Sequence, residues 1–336
     1  MNQRDYSEDD VRVRPARGKS RPRSKERPEH SLAVPGFVTA VDRGRITVFL
    51  EDQPGSRVST MPAEEVLAVR ARELGRRSVV VGDRVAVVGD TSGKTGTLAR
   101  IVRIEPRNTA LTRTPDDIDP VERVVVANAD LMGIVTSSTD PAPREGFIDR
   151  CLVAAYDAGL EPLIIVTKTD LATAERLRAG YEALGVSIAD GGQNSDLTDL
   201  LARITGHITV LIGQSGVGKS TLVNRLVPGT ERVTAAVSGA TGQGRHTSTS
   251  VVALSLPSGG WVIDTPGLRS FGLGHVVRGK VLSAFPELEV GTKDCPRGCT
   301  HSPPHCALDG WVLAGGAGPQ GAERLASVRR LLSSLS

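Results

Sequence analysis

Residues 213–220 read Gly-Gln-Ser-Gly-Val-Gly-Lys-Ser, a glycine, four residues and then Gly-Lys-Ser. That is the spacing of a phosphate-binding loop. The glycines let backbone N–H groups turn toward a β-phosphate, and the N-terminus of a following helix adds a favourable dipole. Lys219 neutralises the β- and γ-oxygens as the charge-stabilising catalytic group, and Ser220 offers its hydroxyl to Mg2+. The nucleotide-binding set here is Gly213, Gln214, Ser215, Gly216, Val217, Gly218, Lys219, Ser220 and Thr221.

Fifty-one residues after Gly213, an apolar run ends in Asp264-Thr265-Pro266-Gly267. At a strand tip beside a phosphate loop, Asp264 can hold magnesium through water and Gly267 can offer its N–H to a γ-phosphate. A third signal stands upstream, where Leu-Ile-Ile-Val precedes Thr167-Lys168-Thr169-Asp170. In that pattern Asp170 can accept from both N1–H and the N2 amino group of guanine, while the stem of Lys168 covers the base. Adenine presents no such donor pair. Residues 89–95, Gly-Asp-Thr-Ser-Gly-Lys-Thr, also contain Gly-Lys-Thr but fall one residue short after the first glycine, and a strand-like run follows. They are read as a hairpin turn.

Cys295, Cys299 and Cys306 lie within twelve residues that also contain His301 and His305. Three thiols and two imidazoles so close together suit a tetrahedral metal such as zinc, with a closed four-ligand site being structural. They are too clustered to staple a chain of 336 residues with disulfides.

These residues need a scaffold. From about Gly36 to Ile104, short β-branched runs (37–41, 45–50, 78–89, 98–104) are separated by Gly, Asp and Pro turns, which predicts a small OB-like antiparallel barrel. From Val124 onward apolar strands alternate with amphipathic stretches, FIDRCLVAAYDAG and LATAERLRAGYEALG among them, which predicts a parallel sheet covered on both faces. ITVLI supplies the strand before the phosphate loop and TLVNRLV the helix after it. Beyond Gly267 no strand is predicted, and LASVRRLLSSLS closes the chain as a helix. The expected organisation is a disordered basic tail (1–33), an OB-like barrel (34–106), a P-loop α/β domain (107–272) and a zinc-binding helical domain (273–336).

The order of motifs is unusual, because the base-reading sequence begins 46 residues before the phosphate loop. Conventional GTPases run the other way, and a circular permutation of the sheet accounts for it. With the barrel in front and the cysteine cluster behind, residues 34–310 resemble the ribosome small subunit-dependent GTPase family (RsgA, also called YjeQ or EngC). IEPRNTALTR and VANADLMGIV match it too. The resemblance implies a GTPase that binds the small ribosomal subunit and its rRNA and hydrolyses GTP to GDP during late assembly. It implies zinc ligands Cys295, Cys299, His301 and Cys306, although two of the gaps are each one residue shorter than in the family and His305 competes with His301 or Cys306. Residues 238–254 resemble the family's Gly-Arg-His-Thr switch. The resemblance implies His246 as the group assisting hydrolysis, and Thr247 or Thr249 as a further magnesium hydroxyl. Leu268 stands where Ras-like proteins carry the water-positioning glutamine, so intrinsic turnover is expected to be slow. Thr167 replaces the more usual asparagine, and its hydroxyl is expected to hold the base-reading turn in place.

Net charge is +3, from 41 Lys/Arg against 38 Asp/Glu. Residues 11–27 alone hold eight basic residues against Glu26, a segment of +7 that leaves −4 for the rest. Ribosome affinity is therefore expected to depend on salt through a basic arm. Aromatics are 3% of the chain, and residues 31–120 contain just Phe37 and Phe49, which argues against base stacking by the barrel. With no run of 18 apolar residues and no signal-like start, a cytoplasmic, monomeric protein away from membranes is expected. Two other readings fit parts of the chain: a P-loop ATPase, and a non-catalytic GTP-binding RNA scaffold.

Overall fold

The computed structural model describes residues 30, 32–51, 65–74, 79–113, 123–182, 184–229, 250–266 and 278–333. Most of the basic tail lies outside these, as do His246, Thr247, Thr249, Gly267 and Leu268.

Five strands form the N-terminal barrel: β1 (Val34–Asp42), β2 (Arg45–Leu50), β3 (Glu65–Arg70), β4 (Arg84–Gly89) and β5 (Ala99–Ile104). They pair in the order β1-β2-β3-β5-β4, and β4 returns to β1, which closes the sheet on itself. All barrel pairings are antiparallel except β3 with β5. Val38, Ile46, Val48, Val66, Val85, Val87 and Ile101 fill the interior, as the period of two along each strand requires. Residues 89–95 join β4 to β5 as the expected hairpin. Strand β3 carries the alternating sequence EVLAVR, which the reading of the barrel from sequence passed over.

Strand β1 is also the seam to the rest of the molecule. Its first half pairs with β4, a bulge falls between Val38 and Ala40, and Ala40 then pairs with Val252 of a later strand. A bulge bends a strand and re-aims it, so one strand serves two sheets. Phe37 and Phe49 pack on Trp261, with ring centroids 4.8 and 5.0 Å away. Both barrel aromatics are spent on this junction.

A ribbon of β6 (Ala110–Arg113) and β7 (Arg123–Ala127) follows. Two buried polar ties fasten this exit. Arg107 forks onto the fully buried Asp83 at 2.7 and 2.9 Å, and the Asn128 amide donates to the Gly82 carbonyl and accepts from the Asn108 N–H. Without Arg107, Asp83 would be left with the Val80 N–H, a loss of about 3–5 kcal/mol.

The second sheet has the order β10-β9-β8-β11-β13-β12, from β8 (Leu131–Ser137), β9 (Glu161–Thr167), β10 (Ser187–Asp190), β11 (Ile208–Gly213), β12 (Val252–Ser255) and β13 (Trp261–Asp264). Every pairing is parallel except β12 with β13. Its strands feed both faces alternately. Met132, Ile134, Ile164, Val166, Val210 and Ile212 face α1 (Glu145–Ala158), whereas Leu131, Val135, Leu163, Ile165 and Leu211 face the opposite side. There α3 (Thr198–Ile204) and α4 (Lys219–Leu226) cover them, whereas α2 (Glu175–Glu182) packs Leu177 and Tyr181 on the α1 side. Strand β12 corrects one expectation: the stretch 238–254 read as a switch ends inside a strand, because pairing with β1 and β13 buries Ala253 and Leu254.

Helices α5 (Arg278–Ser283), α6 (Pro286–Glu289), α7 (Ala307–Leu313) and α8 (Gly321–Ser333) complete the chain. Consecutive arginines of α8 work on opposite sides. Arg329 forks onto Asp309 and donates to the His301 carbonyl, whereas Arg330 binds the buried Asp149 of α1 and lies over the Tyr181 ring. Burial pushes the Asp149 carboxyl up, and the Arg330 guanidinium pulls it back. Among the described residues, no helix is long and apolar enough to cross a membrane.

Candidate nucleotide site and metal centre

The parallel strands end on one side of the sheet, and their end loops meet there. A cleft of about 480 Å3 is lined by Lys168, Gly213–Gly216, Gly218–Thr221, Asp264 and Pro266. Open α/β sheets bind ligands at this position, beyond the carboxyl ends of their strands.

The loop runs from β11 into α4 through Gly216 and Gly218, whose φ angles are 81° and 90°. A side chain at Gly218 would be strained by that φ and would also lie 3.3 Å from Thr167 Oγ1. Val217 points into the core, whereas the residues on either side of it, Gly216 and Gly218, line the cleft at the start of α4. Lys219 Nζ pairs with Asp264, which β13 brings alongside β11 in register with Leu211. Thr265 locks that strand end by donating to the Leu211 carbonyl at 2.7 Å.

Thr167 closes β9, fully buried, and its hydroxyl sits against the carbonyls of Val217 in the phosphate loop and Thr136 in β8. The hydroxyl thus ties the 167–170 turn to the 213–220 loop. Lys168 has φ 56° and donates to the Asp140 carbonyl, and the Ser138 hydroxyl donates to the Lys168 carbonyl at 2.7 Å. Thr169 turns away to Asp190 and Ser195, and Asp170 is exposed beyond the cleft lining.

Several residues at this end were not singled out from sequence. Loop 191–195 follows β10 and lies beside the Thr167–Asp170 turn, and Arg225 of α4 donates to its carbonyls at Gly192 and Ser195. The Gly191-Gly192 pair after an apolar strand was the available signal. Arg225, on a helix, reads as an ordinary solvated charge.

In the C-terminal region Cys295, Cys299, His301 and Cys306 bring their ligand atoms within 4.8 Å of one another. Cys295 Sγ lies 3.7 Å from His301 Nδ1 and 4.0 Å from Cys306 Sγ, and Cys306 Sγ lies 3.9 Å from the same nitrogen. A tetrahedral ion with ligand bonds of about 2.3 Å has edges of about 3.8 Å, so the donors fit a metal ion. Burial pushes the Cys295 thiol up to about 11. His305 is exposed and outside the cluster. His301 reaches inward from a left-handed backbone at φ 61°, braced by Arg329.

The family model described as RsgA GTPase matches residues 104–274. The small ribosomal subunit biogenesis GTPase RsgA of Azotobacter vinelandii is 38% identical over 268 residues, covering 77% of this chain and 75% of that protein. Its namesake from Pseudomonas aeruginosa PAO1 is 37% identical over 271 residues, covering 77% and 76%. Among solved structures, YjeQ from Thermotoga maritima superposes with a TM-score of 0.64 at 24% identity, covering 90% of this chain and 98% of that one. YloQ, a circularly permuted GTPase, gives 0.63 at 23% identity, covering 92% and 98%. These two establish the fold, permutation included.

Proposed function

The chain belongs to the RsgA GTPase family, and from that premise we propose that it docks on the small ribosomal subunit late in assembly and hydrolyses GTP there. It acts as a monomer in the cytoplasm and touches rRNA through shape and phosphates rather than by stacking bases. What most supports this reading is one cleft holding Lys168, the 213–221 loop and Asp264, with the base-reading turn upstream in sequence.

The N–H groups of the loop and Lys219 take the phosphates, with Gly267 offering its N–H to the γ-phosphate. Lys168 covers guanine and Asp170 swings in to accept from it, held in range by Thr167. Ser220, Asp264 through water, and Thr247 or Thr249 would hold Mg2+, which would supply charge neutralisation on the β- and γ-oxygens. Leu268 cannot orient water, so His246 takes that role on the subunit. One Zn2+ fits Cys295, Cys299, His301 and Cys306 as a closed, structural site. The functional parts are the tail 1–33, the barrel 34–106, the GTPase domain 107–272 and the metal-binding region 273–336.

The test is phosphate release from GTP, with and without purified small subunits. Turnover should be slow alone and rise with small subunits, and His246→Ala should keep GTP binding while losing the stimulation. Stimulation by large subunits instead, or equal turnover of ATP, would overturn the reading.

A further inference from the structure

We propose that Arg225 is a positioning residue for nucleotide selection: it locks loop 191–195 to the phosphate-binding helix and so fixes the base-reading turn relative to the phosphate loop. The proposal rests on the nucleotide site described above.

Helix α4 begins at Lys219 in the phosphate loop and carries Arg225 six residues on, about 9 Å along its axis. From there the guanidinium fork reaches two carbonyls, those of Gly192 and Ser195, the latter at 2.7 Å. Two diverging N–H groups on one rigid plane can hold two acceptors at once; an ammonium serves them less well. Loop 191–195 is bound on its other side as well. The Gly191 N–H donates to Val166 at 2.7 Å, immediately before the base-reading turn, and Thr169 of that turn donates to Asp190 at 2.8 Å and meets Ser195 Oγ at 3.2 Å.

The two glycines make this approach possible. A Cβ at Gly191 would stand 2.6 Å from Ile165, and one at Gly192 would stand 2.5 Å from Ser195 Oγ and 2.7 Å from Thr169 Oγ1. Both glycines are buried, with Leu222 of α4 pressing on the first. Arg225 to the loop, and the loop to Thr169, form a chain of contacts from the helix that holds phosphate to the turn that reads the base. Asp170, exposed beyond the cleft, depends on that turn for its aim. Loosening the loop therefore costs base recognition, while phosphate binding stays with the N-terminal end of α4.

The experiment titrates GTP and ATP on the full-length protein, wild type, Arg225→Ala, Arg225→Lys, Asp190→Ala and the Arg225→Ala/Asp190→Ala double variant. Arg225→Ala should weaken GTP about tenfold with ATP unchanged, raising KM for GTP and leaving kcat at saturation intact. Arg225→Lys should recover part of the loss. Asp190→Ala, a half-buried change that does not put the fold at stake, should weaken GTP selectively and less than additively with Arg225→Ala. Equal weakening of GTP and ATP would mean that Arg225 merely supports α4, and an unchanged ratio with intact GTP binding would mean that it positions nothing; either overturns the proposal. A wild-type protein that does not prefer GTP would instead sink the nucleotide reading itself.

Discussion

Among the described residues, two loops contain glycine, lysine and a hydroxyl residue in succession, and the fold treats them oppositely. Gly218-Lys219-Ser220 leaves the central strand of a parallel sheet and opens a helix. Gly93-Lys94-Thr95 joins two antiparallel barrel strands. In the first, lysine is nearly covered and paired with Asp264; in the second, lysine is exposed and its carbonyl accepts from Thr97. The side chains are alike, so what separates them is the element that follows. A helix start leaves several N–H groups pointing one way, whereas a hairpin consumes its own in closing the turn.

The contrast breaks most visibly at the lysines. Lys219→Ala should lower GTP affinity by about 100-fold through loss of charge-assisted contacts, while Lys94→Ala should change it less than twofold, both read by titration with a fluorescent GTP analogue. The histidines of the cysteine cluster pose the same question of setting against spacing. His301→Ala should weaken metal binding by about 100-fold, and His305→Ala should leave metal content unchanged, as measured by chelator competition and elemental analysis. A smaller effect is expected at the glycines. Gly218→Ala should destabilise the fold by about 1–2 kcal/mol in denaturant titration and weaken GTP as well; Gly93→Ala, at φ 68°, should cost similar stability and leave GTP untouched. Lengthening the hairpin by one residue, which completes the phosphate-loop spacing there, should bring no second nucleotide site in equilibrium dialysis. A stoichiometry of two would show that spacing alone suffices.

Sequence carried the site better than its supports. Lys219, Asp264 and Lys168 were legible because their chemistry demands fixed neighbours and each follows an apolar strand. Strand β3 was not, since its six residues alternate without a distinctive turn, and β12 hid in a glycine-rich stretch because its strand character comes from pairing with distant partners. Arg225 was invisible for a similar reason: its partners are backbone carbonyls 30 or more residues away, which no side-chain pattern encodes. The cysteine cluster was legible as a set of residues that could hold a metal ion, but the choice between two histidines needed the backbone turn at His301. By contrast, the stretches IEPRNTALTR and VANADLMGIV, noticed only as a likeness, turn out to carry the Arg107–Asp83 and Asn128–Gly82 ties at the barrel exit.

The permuted strand order also bears on how the chain is made. Strands β8, β9 and β10 are synthesised in sequence and pair with one another, yet the free side of β8 is reserved for β11, whose last residue is Gly213. During synthesis the sheet therefore passes through a stage in which a strand destined for the interior, buried along its whole length, is an edge. A chain ending before Ile208 should aggregate on release, and one extended through α4 should stay dispersed, as light scattering of the two fragments would register. The permuted order thus makes β11, the strand that leads into the 213–220 loop, the piece that seals the nascent sheet.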